Sequence, residues 1–356
     1  MLYNKRMKDS RYYDGTKLLS MKDINGETPE IFISTSNRTG GKTTYFSRLL
    51  VNRFIKSKSK FLLIYRYNYE LDEIGDKFFK DIGGLFFPEY HLTDKSKSKG
   101  MYHELYLQKG DGPEEPCGYA VALNNADTIK KYSHFFNDVQ TMYFDEFQSE
   151  TGHYCSRELD KFQSLHTSIA RGNGKQVRYV PVYMVSNTVS LLNPYYIGLG
   201  ISSRVQANTK FLKGDGFVVE CAFIESAANA QKTSAFNRAF KNDPYQKYAQ
   251  EGVYLNDNLT FIEKPKGKNR YLATIVFKNK EYSLRSYDDL GIIYCDTSVD
   301  TSYKFKIAIT TADLKTNYVI LKQNDIFIEH MKYYFSHGCF RFRNLEAKEA
   351  ALALLV

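Results

Sequence analysis

Tryptophan is absent from the 356 residues, although 29 tyrosines and 25 phenylalanines are present. Abundant Tyr and Phe beside Lys, Asn and Ile are what an AT-rich genome encodes, so the aromatic excess is no argument for base stacking. Cysteine is scarce. Cys117, Cys155, Cys221, Cys295 and Cys339 are odd in number and far apart, without the paired spacing of a zinc site, and fit free thiols in a reducing compartment. No apolar run reaches the roughly 18 residues needed to span a bilayer. The opening Met1-Leu2-Tyr3-Asn4-Lys5-Arg6 has no apolar signal core behind it, so the expectation is a cytosolic protein with no membrane partner. Internal repeats are missing as well. What is present, 43% apolar and 25% charged residues, excludes a disordered chain and suffices for two packed domains.

The net charge of +9 is local: the first 60 residues carry 13 Lys/Arg against 5 Asp/Glu, which is +8 of that total. Such a segment suits a polyanion such as nucleic acid, or is a solvated basic terminus.

Glycine is missing from one place where it would be diagnostic. The apolar run Ile31-Phe32-Ile33 leads into Ser36-Asn37-Arg38-Thr39-Gly40-Gly41-Lys42-Thr43-Thr44, which matches the phosphate-cradling P-loop pattern except that Ser36 stands at the first glycine. The tail of the motif carries the chemistry. The amides of Gly41, Lys42 and Thr43 open a helix whose N-terminal end favours anions. Lys42 is placed to neutralise the β and γ phosphates of ATP, and the Thr43 hydroxyl to bind Mg2+. Ser36 is tolerable provided that its φ is negative. Taken alone, the motif has one alternative reading, a Gly-containing strand-to-helix turn with an incidental lysine, and the rest of the chain must decide between the two.

After a polar, basic lead of about 28 residues, apolar runs alternate with helical patterns as in a parallel α/β sheet. Strands are expected at Ile31 to Thr35, Phe61 to Arg66, Gly118 to Leu123, Val139 to Phe144 and Val180 to Ser186. Helices are expected at Thr43 to Ile55, Tyr69 to Asp81, Ala126 to Phe136 and Arg157 to Ala170. Lys95-Ser96-Lys97-Ser98-Lys99-Gly100 reads as a solvated loop. The boundaries expected are a P-loop domain over 1–208, a connector over 209–252 with β-like runs at Val205 to Leu212 and Phe217 to Phe223 and then a polar, helix-prone segment from Glu225 to Glu251, and a second domain over 253–356. That last domain, beginning near Tyr254, should hold strands at Leu259 to Glu263, Tyr271 to Lys278, Glu281 to Arg285, Gly291 to Cys295 and Tyr303 to Thr310. One late helix is expected, Ile326 to Phe335.

About a hundred residues beyond Lys42, the mostly apolar Val139-Gln140-Thr141-Met142-Tyr143-Phe144 ends in Asp145-Glu146. This is the pattern of a Walker B strand with a catalytic glutamate: Asp145 for the metal ion, Glu146 to polarise the attacking water. A third strand ends in Ser186-Asn187, at the same carboxyl edge where open α/β sheets bind ligands. Asn187 there either senses the γ-phosphate and lytic water or forms a turn. Arg171 lies in the exposed turn Ala170-Arg171-Gly172-Asn173-Gly174-Lys175, where a ring ATPase places an arginine finger for its neighbour's nucleotide, or where a surface arginine sits. Arg178 is the second candidate, Lys130 and Lys131 are weaker trans candidates, and Arg38 is a cis phosphate contact.

These residues, with Asn52-Arg53-Phe54-Ile55-Lys56, Tyr65-Arg66-Tyr67, Phe144-Asp145-Glu146-Phe147, Ser186-Asn187-Thr188-Val189-Ser190 and Asn193-Pro194-Tyr195, resemble the DNA-packaging motor ATPases of small tailed phages of the phi29-like group, related to the FtsK/HerA branch of P-loop enzymes. So do Phe261-Ile262-Glu263-Lys264, Tyr294-Cys295-Asp296-Thr297, Thr310-Thr311-Ala312-Asp313-Leu314 and Gly338-Cys339-Phe340-Arg341-Phe342. The resemblance implies an additional-strand, catalytic-glutamate P-loop ATPase domain followed by a smaller α+β RNase H-like degenerate nuclease domain. It implies a homomeric ring, a pentamer, that docks on the portal of a procapsid and drives double-stranded DNA inward, with a packaging RNA left open. Such a protein works in the host cytoplasm, transiently on the procapsid, and is absent from the mature virion. Leu272-Ala273-Thr274-Ile275-Val276-Phe277, the first strand of the second domain, lacks the carboxylate a two-metal nuclease needs. Ser36 departs from the family's pattern. Gln148-Ser149-Glu150-Thr151-Gly152-His153 also lacks the basic residue expected near DNA, with Arg157 the nearest replacement. A nucleotide-gated assembly or scaffold protein is the competing reading.

Overall fold

Residues 12–355 are described by the computed structural model, except 173, 192, 203, 206–208, 242–244, 246–248 and 250–259. The chain divides into two units, one of residues up to 149, 157–189 and 206–253, the other of 150–156, 190–205 and 254 onward. Met1 to Arg6, the expected start of the second domain near Tyr254, and the boundaries at 208, 252 and 253 lie outside the described residues.

The first unit is built on a nine-stranded sheet. Its strands are β1 (Ile31–Ser36), β2 (Lys60–Tyr65), β3 (Tyr90–Lys97), β4 (Tyr102–Lys109), β5 (Glu114–Ala122), β6 (Val139–Asp145), β7 (Val182–Asn187), β8 (Phe211–Gly214) and β9 (Phe217–Cys221). They are ordered β3-β4-β5-β2-β6-β7-β1-β9-β8. The run from β5 to β9 is parallel, and buried on both faces it reads as continuous apolar sequence. β7 lies between β1 and β6. The helices are α1 (Thr16–Ser20), α2 (Lys42–Ser57), α3 (Ile74–Phe86), α4 (Ala126–Ile129), α5 (Glu158–Ile169), α7 (Glu225–Thr233) and α8 (Ala235–Ala239), with α6 (Pro194–Gly198) in the second unit. On α2, Phe46, Leu50, Val51 and Phe54 are all buried, at the i, i+4, i+5, i+8 spacing of one helical face, and each contributes ~1.5–3 kcal/mol of burial.

Four expectations change. Lys95 to Gly100 is not a free loop: Lys95–Lys97 end β3, which pairs antiparallel with β4, an edge hairpin whose polar, solvent-facing residues hide its strand character. Instead of one helix, Tyr69 to Asp81 holds a 3-10 turn at Asn68–Leu71 and then α3, while Ala126 to Phe136 is α4 followed by a 3-10 stretch to Phe136. The lead is not merely a solvated terminus: Tyr13 and Leu18 are buried in the core. Finally, the β-like runs expected in the connector belong to the main sheet as β8 and β9, the latter hydrogen-bonded to β1, while α7 and α8 fall in the segment expected to be helix-prone.

The second unit has a five-stranded sheet, β10 (Arg270–Phe277), β11 (Lys280–Tyr287), β12 (Ile292–Asp296), β13 (Lys306–Ala308) and β14 (Phe340–Phe342), ordered β13-β10-β11-β12-β14. β10, β11 and β12 form an antiparallel meander. Two helices follow, α9 (Ile326–Ser336) and α10 (Leu345–Leu355); the second, beyond the single helix expected, buries Ala347, Ala350, Ala351 and Leu354 in this unit's core. Of the strand expected at Leu259 to Glu263, a single bridge from Phe261 to Phe342 is present among the described residues. Asn193 caps α6 by accepting from the Tyr196 N–H at 3.0 Å, with Pro194 at the first helical position, which accounts for the Asn-Pro pair.

Candidate active site

Parallel pairing fixes the site. β1 and β7 run in register so that Ser36 lies beside Asn187, and β6 and β7 so that Asp145 lies beside Val185. Three strand ends therefore meet at one edge of the sheet. Gly41 turns the chain into α2 with φ 88°, a left-handed conformation that glycine adopts without a side-chain penalty. An open cavity of about 410 Å³ forms there, lined by Arg38, Thr39, Gly40, Gly41, Lys42, Thr43 and Thr44 from the loop, Asp145 and Glu146 from β6, and Ser186 and Asn187 from β7. Every predicted cis residue of the P-loop tail, Walker B pair and third strand is thus brought together.

The serine at the missing glycine has a part in this. Ser36 remains in the strand, outside the left-handed region. The Lys42 ammonium donates to its Oγ at 2.6 Å and to the Asn37 carbonyl at 3.4 Å. Lys42 is buried, and desolvation lowers its pKa to about 8, with Asp145 opposing and Arg38 reinforcing the shift. Asp145 is raised to about 6 by desolvation and by Glu146 beside it. The Thr43 hydroxyl donates to Asp145 Oδ1 at 3.4 Å, so two oxygen donors of the type a hard cation takes converge at the cavity mouth.

Glu146 has φ 51°, a left-handed conformation uncommon for a residue with a side chain. Its N–H donates to Asp145 Oδ1 at 2.9 Å. The peptide beyond it is held by Arg66, at the end of β2, whose Nη2 donates to the Phe147 carbonyl at 2.8 Å and to that of Glu146 at 3.5 Å. Arg66 Nε donates to both oxygens of the buried Glu158 at 3.1 and 2.9 Å. Sequence reasoning singled out Arg66 as part of a resemblance but gave this pair no role.

The trans candidates separate. Arg171 is exposed in a turn closed by hydrogen bonds between Gly172 and Lys175, in the connection that leads to the start of β7, the edge opposite the cavity. Arg178 instead donates to the Val139 and Ile169 carbonyls at 3.1 and 2.7 Å, a use within its own fold that Arg171 does not have among the described residues. Lys130 pairs with Asp127 at 2.9 Å, and Lys131 is exposed. Arg157, the replacement for a DNA-loop cation, pairs with Asp160 at 2.8 Å.

Two segments that the motif search left out also touch the loop. The Tyr13 N–H donates to the Gly40 carbonyl at 2.9 Å, and Gln231, Asn237, Tyr245 and Ala249 complete the cavity wall.

The chain is 26% identical over 354 residues to the DNA packaging protein of Bacillus phage phi29, 98% of each chain being covered. It is 24% identical over 310 residues to the DNA packaging protein of Bacillus phage B103, covering 85% of this chain and 89% of that one. Its fold is similar to that of a chain in the bacteriophage phi29 viral genome packaging motor assembly, with a TM-score of 0.55 at 24% identity over 96% of this chain and 98% of that one. It is also similar to the phi28 gp11 DNA packaging motor, with a TM-score of 0.57 at 16% identity over 98% and 99%. The family model described as podovirus DNA encapsidation protein (Gp16) matches residues 7–356, and this chain belongs to that family.

Proposed function

We propose that this DNA encapsidation protein is an ATP-hydrolysing ring motor that moves double-stranded DNA into a procapsid. The observation that carries the proposal is the convergence of Lys42, Thr43, Asp145, Glu146 and Asn187 on one cavity at the carboxyl edge of a parallel sheet, with β7 inserted between β1 and β6 as in the additional-strand ATPases. In this site the amides at the start of α2 and the Lys42 ammonium bind the β and γ phosphates. Displacing Lys42 from Ser36 Oγ is the rearrangement that binding requires. Thr43 and Asp145 would hold a magnesium ion, which supplies charge neutralisation at the phosphate oxygens when bound. Glu146 orients the attacking water and takes its proton, and Asn187 lies where a γ-phosphate contact is needed. Arg171, on the edge opposite its own cavity, serves the nucleotide of the adjacent subunit in a homomeric ring, a pentamer in this proposal.

DNA contacts in such a motor are to phosphates, hence salt-sensitive and nearly blind to sequence. We read the second unit as a degenerate RNase H-like nuclease; the lack of a carboxylate on β10 supports the loss of nuclease chemistry in that reading. The portal of the procapsid is the docking partner, reached from the host cytoplasm.

The test is ATP turnover by the full chain with and without duplex DNA, assembled on procapsids. DNA-stimulated hydrolysis is expected. ATP binding without turnover would assign the chain instead to the nucleotide-gated scaffold class, for which the Lys42–Ser36 hydrogen bond is the favouring observation.

A further inference from the structure

Asn37 stands inside the phosphate loop by sequence, yet its side chain is directed elsewhere. It is fully buried. Its carboxamide makes a reciprocal pair with the backbone of Ile224: the Ile224 N–H donates to Asn37 Oδ1 at 2.8 Å, and Asn37 Nδ2 donates to the Ile224 carbonyl at 3.0 Å. Both polar functions of the side chain are therefore engaged by one residue 187 positions away. Ile224 is the residue before α7, and its side chain closes on the loop so tightly that a Cβ at Gly40 would meet Ile224 Cγ1 at 2.9 Å.

Two further ties flank this pair. Ala222 N–H donates to the Thr35 carbonyl at 2.8 Å, and Gln231 Nε2 on α7 donates to Thr39 Oγ1 at 3.3 Å. Asn237 in turn holds the Gln231 carbonyl at 2.9 Å. Residues 222–237 thus form a strap fastened along residues 35–39, and the strap supplies Gln231 and Asn237 to the cavity wall, with Tyr245 beyond it over the Arg38 guanidinium at 5.5 Å. Phosphate binding by a P-loop needs backbone amides and the lysine; nothing in it needs a carboxamide at this position.

We propose that Asn37 is a positioning residue, which sets the strap against the phosphate loop so that the strap wall meets the part of the nucleotide beyond its phosphates. This inference rests on the ATP reading above. A loop that moves when phosphates bind carries Ile224 with it, and a strap held by the nucleotide stiffens the loop. Asn37 is the joint between them, and its loss weakens nucleotide binding without removing any group that acts on the γ-phosphate.

Steady-state kinetics and amide hydrogen exchange of the full chain with a non-hydrolysable ATP analogue test this. In the unaltered protein the analogue is expected to protect both 42–50 and 225–239. Asn37→Ala should raise KM for ATP about tenfold, with kcat at saturating ATP within about twofold. Protection of 42–50 should persist and that of 225–239 should be lost. Asn37→Asp, which sets a carboxylate oxygen against the Ile224 carbonyl and a buried negative charge in the phosphate loop, should raise KM at least as much as Asn37→Ala. Gln231→Ala, on the strap itself, should raise KM in the same sense and supplies the test should the Asn37 variants fail to fold. An Asn37→Ala protein that still protects 225–239, or that loses protection in both segments together, overturns the proposal. Absence of protection anywhere in the unaltered protein would instead overturn the ATP reading.

Discussion

The two ends of α5 are built in opposite ways. At its start, Glu158 is fully buried and paired with Arg66, and the same guanidinium holds the peptide that follows Glu146. Beyond its end, Arg171 stands exposed in a turn where Gly172 and Gly174 both adopt positive φ. Chemistry in cis needs groups held in advance of the reaction, because reorganisation in the transition state costs rate. A group proposed to serve another subunit needs reach, and exposure at the surface supplies it. Arg178, only seven positions on, shows the contrast within one segment: its guanidinium fastens the turn to the sheet, leaving Arg171 at the surface.

Breaking the rigid end at its reacting group should have the largest effect. Glu146→Gln is expected to lower kcat about 10³–10⁴-fold, the upper range for a general base, while ATP binding measured by fluorescent-analogue titration persists. Undiminished turnover would refute the assignment. At the exposed end, Arg171→Ala should lower kcat about 10³-fold in assembled rings, with the thermal midpoint unchanged, because the exposed arginine anchors nothing among the described residues. Arg66→Ala should reverse that pattern in stability. It removes the guanidinium that donates to both oxygens of the buried Glu158 carboxylate, at ~3–5 kcal/mol, and lowers the melting midpoint measured by calorimetry together with kcat. Equal melting behaviour of the Arg66 and Arg171 variants would erase the distinction between the two ends.

The two buried charges at the site set a pH window. Lys42, lowered to about 8, must be protonated to meet phosphate, so ATP affinity falls as pH rises through about 8. Asp145, raised to about 6, must be ionised to hold a cation, so affinity for the magnesium complex falls as pH drops through about 6. Binding measured across pH 5–9 should be tightest between those values, and a monotonic profile would contradict the assignment. Ser36→Gly is expected to have the smallest effect, turnover within about twofold, since it removes a resting acceptor for Lys42 and no group that acts on ATP. A large gain would mean that Ser36 restrains the enzyme.

The cis site was legible because each of its motifs is a strand end and its following turn, and parallel pairing assembles strand ends without further information. What escaped the sequence joins residues far apart: Arg66 to Glu158, 92 positions away, and Asn37 to Ile224. No local pattern encodes such pairs. The β3–β4 hairpin escaped for another reason, since an exposed edge strand such as Tyr90–Lys97 buries little and reads as loop. α10 was missed despite a signal in plain view: Leu345-Glu-Ala-Lys-Glu-Ala-Ala-Leu-Ala-Leu-Leu is strongly helix-forming. Residues 211–221 looked like a connector because two short strands carry no mark of the sheet they join.

The central claim is that one subunit supplies Glu146 and its neighbour supplies Arg171. The direct measurement is ATP hydrolysis by rings assembled from a mixture of Glu146→Gln and Arg171→Ala subunits, each inactive alone. Some interfaces in the mixed ring then combine an intact Glu146 with an intact Arg171. Turnover well above either parent is the predicted result. Mixed rings as inactive as the parents would contradict it, and would place Arg171 outside its neighbour's active site.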